Sequence, residues 1–206
     1  VSTASIIAAR RFAYLLRTPT RRSFDMSRIA IPTRESAPAA AQPLLDAVAR
    51  QLGVVPNLFR IVALSPAALR GFLGFSEALS KTLDVKTRER IALAVAQVNG
   101  CDYCLSAHTY LGLNLAKLDA SEVELNRAGG SSDAKASAAV HFASRVAQTR
   151  GKVADADLAA VRQAGFSDAQ VIEIVAVVAE NFLTNLLNNV SETDIDFPVV
   201  RAASAA

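Results

Sequence analysis

The 206-residue sequence predicts an all-α protein, and three observations predict it. Apolar residues recur at helical spacing in nearly every segment after residue 43, no Asn-Gly or Asp-Gly turn joins two alternating runs, and helix-start and helix-stop residues punctuate the chain at short intervals. A composition of 51% hydrophobic and 20% charged residues fits one globular domain.

The elements follow in order. Leu44, Leu45, Val48 and Leu52 lie on one helical face, and Gly53 with Pro56 ends that run. Asn57 to Ala63 reads as a short helix. Ser65-Pro66 is an N-cap and first-turn pair, opening an apolar stripe of Leu69, Phe72, Phe75, Leu79 and Leu83. A helix from Thr87 passes through Ile91, Leu93, Val95 and Val98 to a strong stop at Asn99-Gly100. The next starts at Cys101 and reaches about Leu113. Further helices are predicted over 121–128, 132–149 and 156–164, and the longest from Asp168 to Val190 behind the N-cap Ser167. That last helix carries Val171, Ile172, Ile174, Val175, Val177 and Val178 almost all round, so it needs cover on more than one side. A partner subunit is the expected cover, and a homo-oligomer the expected assembly.

Charge excludes a nucleic-acid partner. Residues 1–25 hold five arginines (Arg10, Arg11, Arg17, Arg21, Arg22) against Asp25, a balance of +4, which leaves residues 26–206 at −1 of the chain's +3. The segment 1–25 reads as a basic leader or a misassigned upstream stretch ahead of a start at Met26. Its apolar residues precede its arginines, the wrong order for a secretory signal, whereas a mitochondrial presequence fits its composition. Residues 26–206 form the expected domain, cytoplasmic unless the leader directs it to mitochondria. Glu173 and Glu180 interrupt the most apolar stretch, so no membrane partner is expected.

Chemistry concentrates between Glu89 and His108. Cys101 and Cys104, read as positions i and i+3 of a helix, share a face, and His108 falls within about 60° of them. The Cα separation of such a pair, about 5 Å, suits a disulfide. A helix N-terminus favours thiolates, and by that argument Cys101, the nearer to it, is the more acidic. Acidity alone gives little rate, since nucleophilicity falls with pKa and only about threefold remains. Proton delivery to the leaving oxygen of a peroxide is worth about 10²- to 10⁴-fold, and His108 is the candidate donor. If the chain folds back at Asn99-Gly100, Glu89 and His108 stand within about 4.5 Å of the same level. Glu89 then orients His108.

Glu89, eleven intervening residues, Cys101-x-x-Cys104 and His108 resemble the active-site motif of the alkylhydroperoxidase D-like (AhpD-like) proteins of the carboxymuconolactone decarboxylase superfamily. VPNLFRIVALSP and AENFLTNLLNNVSETDIDFP resemble the peroxidase-related branch, so the likeness spans about residues 27–198. It implies an oligomeric, AhpD-like helical bundle that reduces hydroperoxides with a thiol or dithiol reductant and no cofactor or metal. By the same resemblance Cys104 is the peroxidatic thiol, Cys101 resolves it, and Glu89 and His108 form a proton relay. Two positions depart from the pattern: Tyr103 and Asn189 stand where relatives carry histidine. The alternatives are a thiol-disulfide oxidoreductase without peroxidase turnover, a decarboxylase, and a non-catalytic oligomeric binder. A zinc site on Cys101, Cys104, His108 and His141 lacks a second ligand pair, and His141 reads as a core or interface histidine.

Overall fold

Nine α-helices and no strand make up the described residues, 27–203, of the computed structural model. The expectations for residues 1–25 lie outside the described residues. The helices are α1 (Gln42–Leu52), α2 (Asn57–Val62), α3 (Pro66–Leu79), α4 (Val85–Val98), α5 (Asp102–Asn114), α6 (Ala120–Arg127), α7 (Ala134–Thr149), α8 (Asp155–Gln163) and α9 (Asp168–Ser191). Ser65, Asp84, Asp119, Asp133 and Ser167 each accept a hydrogen bond from a first-turn N–H, which fixes five helix starts. Asp84 was not foreseen as a cap, and it starts α4 two residues before Thr87. In α3 the predicted stripe overruns the helix: Leu83 is buried beyond its end, while Phe75 is exposed.

The α4 helix is the hub, packing against α5, α6, α7 and α9. Its Ile91, Leu93, Ala94, Val95 and Ala96 are all fully buried, and the alanines let neighbours approach closely. Leu93 joins a core with Leu45, Leu69 and Leu105, whereas Ile91 and Val95 join a second with Phe142, Val161 and Ile174.

The α9 helix is covered by its own chain on one face only. Val171, Ile174, Val177 and Val178 are buried, and Ile172, Val175, Leu183, Leu186 and Val190 are exposed. By length and composition α9 is apolar enough to cross a membrane. Its inner face turns polar beyond Glu180, where Asn181, Thr184, Asn185, Asn188 and Ser191 are buried against the protein. Past α9 the chain returns over α2 and α5. Asn57 N donates to Asp196 Oδ2 (2.9 Å), Ser106 Oγ exchanges hydrogen bonds with Val200, and Asp102 accepts from Ala202 N and Arg201 Nη1.

A buried carboxylate ties the bundle together away from this strap. Glu122 accepts from Arg90 Nε (2.8 Å), Asn126 Nδ2, the Ser131 hydroxyl and both the N–H and hydroxyl of Ser132. Burial alone would raise its pKa, but these donors hold it well below the usual carboxylate range. Its contribution to stability is therefore full above the unfolded carboxyl pKa and fades as pH falls toward the depressed folded value. Glu122→Ala strands Arg90 and four smaller donors, and should cost about 3 to 5 kcal/mol, read as a lowered urea midpoint at neutral pH.

Candidate active site

The site is built on the turn between α4 and α5. Gly100 has φ +60°, its N–H bonds to the Gln97 carbonyl, and Cys101 N–H bonds back to the Ala96 carbonyl, closing a Schellman stop. Only a residue tolerant of left-handed backbone ends α4 there without strain. Cys101 consequently lies outside α5. It is the N-cap, with extended backbone (φ −95°, ψ 95°), while Cys104 sits in the first turn. The predicted i, i+3 geometry within one helix is thus corrected at Cys101, yet the two thiols are still neighbours, each shifting the acidity of the other.

Reversal of the chain brings Glu89 and His108 together: His108 Nδ1 stands 2.8 Å from Glu89 Oε2. Burial alone would lower the His108 pKa, but the Glu89 charge and hydrogen bond, with smaller contributions from Cys104 and Glu180, raise it above the ordinary value. With Nδ1 held by a carboxylate, Nε2 is the nitrogen left to carry or deliver a proton.

The thiols are strongly unequal. The Cys101 hydrogen bond, the His108 charge and the Asn188 and Asn185 side chains outweigh burial at Cys104 and bring its pKa down to about 6. Cys101 moves the opposite way, pushed up by sharing its proton with Cys104 and by burial. The helix-dipole expectation that Cys101 is the more acidic thiol is therefore reversed, because specific neighbours outweigh one helix terminus.

Cys104 and His108 line a cavity of about 510 Å³ whose walls include Val48, Leu52, Phe59, Phe72, Leu111 and Phe197. Cys101 is not in that lining and is fully buried. Apolar walls with a few convergent polar groups are the usual form of a small-molecule site. A molecule in the cavity therefore meets Cys104 beside the His108 ring, with Cys101 shielded.

Several residues were not foreseen. Asn188 Nδ2 donates to Cys104 Sγ at 3.3 Å, and Thr184 Oγ1 is 4.0 Å from the same sulfur. Asn181, Thr184, Asn185, Asn188 and Ser191 fall at helical spacing, so a polar stripe on an otherwise apolar helix was the available clue. Tyr103 is saturated: its hydroxyl donates to Asp196 Oδ1 (2.8 Å) and accepts from Leu58 N (3.1 Å). It pins the C-terminal strap. Asn189 Nδ2 donates to the Asn99 carbonyl and so braces the turn. His141 is a surface residue, its side chain 60% exposed and 3.8 Å from Asp157, which corrects the core reading.

Comparison with known proteins agrees with this architecture. Residues 66–145, which contain the whole turn, match the carboxymuconolactone decarboxylase family. Among solved structures, an alkylhydroperoxidase AhpD core, an uncharacterized peroxidase-related protein of Ralstonia eutropha, is 28% identical at a TM-score of 0.73, over 84% of this chain and 94% of that one. An uncharacterized peroxidase-related protein from a Silicibacter species is 23% identical at 0.72, over 85% and 95%. The debrominase Bmp8 in its apo form is 19% identical at 0.68, over 84% and 92%. These last two likenesses show the fold alone. No curated protein sequence matches. The stretch that contains the turn is thus similar to the carboxymuconolactone decarboxylase family, and most of the chain is similar in fold to an alkylhydroperoxidase AhpD core.

Proposed function

We propose that the protein is a thiol-dependent peroxidase for organic hydroperoxides. The observation that carries this reading is the asymmetry of the pair: the acidic thiol, Cys104, opens on an apolar cavity beside a carboxylate-held histidine, and the other is shielded. The Cys104 thiolate attacks the terminal peroxide oxygen, the O–O bond breaks, and the sulfur becomes a sulfenic acid as it loses two electrons to the peroxide. The leaving alkoxide takes its proton from His108 Nε2, while Glu89 holds the ring and stabilises the imidazolium. Cys101 then attacks the Cys104 sulfur, expels the sulfenic oxygen as water, and forms the disulfide. An external thiol or dithiol returns two electrons and two protons. The site needs thiolate and imidazolium together, so reactivity should rise with the ionisation of Cys104 near pH 6 and fall when His108 loses its proton above its ordinary range. The test is steady-state consumption of cumene hydroperoxide with a small dithiol: turnover supports the reading, and none with a fully reduced, folded protein overturns it. Alkylation by iodoacetamide should show the same acidic midpoint at Cys104, whereas a midpoint near 8.5, that of a free thiol, would contradict it.

The same proposal includes a homo-oligomer. Ile172, Val175, Leu183, Leu186 and Val190 form an exposed apolar stripe along α9, on the face away from the site residues. A stripe of this kind on a soluble domain is the form of an interface. Leu186→Glu should lower the light-scattering mass to that of one chain. A wild-type mass already equal to one chain would contradict it.

A further inference from the structure

We propose that the side-chain amide of Asn188 holds the Cys104 sulfur in its charged, reduced form, and thereby makes the Cys101–Cys104 disulfide easy to reduce. The inference rests on the redox reading of the pair and adds one residue that sets how readily the oxidised site is regenerated.

The geometry begins with Asn99, next to the turn that carries Cys101. Its Nδ2 donates to Asn185 Oδ1 at 2.8 Å, and its carbonyl accepts from Asn189 Nδ2 at 3.0 Å. With its oxygen engaged, Asn185 has only Nδ2 left to offer, and that donor is fully buried without a hydrogen-bond partner. One turn later along α9, Asn188 donates Nδ2 to Cys104 Sγ at 3.3 Å, while its own oxygen is buried without a partner. A thiolate accepts from such donors strongly, and a neutral disulfide sulfur accepts weakly. A buried donor left without an acceptor is costly.

Oxidation therefore removes the acceptor that the Asn188 amide faces. The reduced state keeps a charged sulfur held by Asn188. The disulfide state leaves that amide facing a weak acceptor inside a buried helix face. Whatever stabilises the thiolate relative to the disulfide raises the reduction potential, because disulfide plus two electrons and two protons from a dithiol gives the Cys104 thiolate, the Cys101 thiol and one released proton. Thiolate population and reduction potential thus read the same interaction and must move together.

The test uses Asn188→Leu, close in shape and lacking both polar atoms, so it also removes the unpartnered oxygen and should leave folding intact. Thiolate formation is followed by ultraviolet absorbance across pH, and the disulfide equilibrium is measured against a glutathione redox buffer at about pH 8. The variant should lose about tenfold in thiolate stabilisation, a midpoint one pH unit higher, and its disulfide should become close to tenfold harder to reduce, about 30 mV more negative. Asn188→Ser, which keeps a hydroxyl donor, should move both quantities in the same direction and by less; it serves equally if the leucine variant does not fold. A potential that moves without the midpoint, or a change in thermal stability with neither quantity moved, overturns the proposal. A wild-type protein that never forms the disulfide would instead overturn the peroxidase reading itself.

Discussion

Cys104→Ser is expected to abolish hydroperoxide reduction, with a loss on the order of 10³-fold or more, because it removes the sulfur that, among the described residues, the cavity presents beside His108. Cys101→Ser should behave differently. It retains Cys104 and its proton donor, so the first oxidation should proceed. With no second thiol to condense, a sulfenic acid should accumulate and be trapped by dimedone. Catalytic turnover with a dithiol should fall, since resolution must then come from outside a buried site. Fast sulfenic acid formation in Cys104→Ser but not in Cys101→Ser would reverse the roles.

The second large effect falls on proton delivery. His108→Ala should slow peroxide-driven oxidation of Cys104 by about 10²- to 10⁴-fold, the usual worth of a placed general acid. Alkylation by iodoacetamide at about pH 9 should change far less, because iodide leaves without a proton and the thiolate is largely formed there even at an ordinary thiol pKa. At lower pH alkylation also slows, since the His108 charge helps hold Cys104 ionised. Glu89→Gln keeps the shape beside Nδ1 but removes the charge that raises the His108 pKa, so it should share the peroxide-specific loss and shift its alkaline limit downward. Equal losses in both assays at the high pH would mean that His108 only supports the local structure.

The helices and the turn were legible in the sequence because their determinants are local. Gly53 and Asn99-Gly100 stop helices by backbone conformation, Ser65 and Ser167 start them by capping, and Glu89 and His108 meet because they stand at nearly the same distance on either side of one reversal. What escaped notice is set by the hydrogen bonds of the turn itself or by distant neighbours. Cys101 reads as helical by spacing, yet the Schellman stop that places its N–H on Ala96 leaves it in extended backbone. The acidity order of the thiols could not follow from the helix dipole, since Asn188 reaches Cys104 across 84 residues of sequence. The bonding of Tyr103 was illegible for a similar reason: its partners, Asp196 and Leu58, belong to the strap and to α2. The α9 surface shows the limit of periodicity, which registers that apolar residues surround a helix but not which side its own chain covers.

The central claim is that one hydroperoxide molecule is reduced at the expense of this thiol pair, with Cys104 first and Cys101 second. Mixing the reduced protein with one equivalent of cumene hydroperoxide, then measuring intact mass, free thiols and the linked peptides, tests it in a single turnover. The expected result is loss of both thiols, a mass lower by two hydrogens, and a Cys101–Cys104 disulfide formed together with one equivalent of the alcohol. Unchanged mass and two free thiols, with the peroxide intact, would contradict the account.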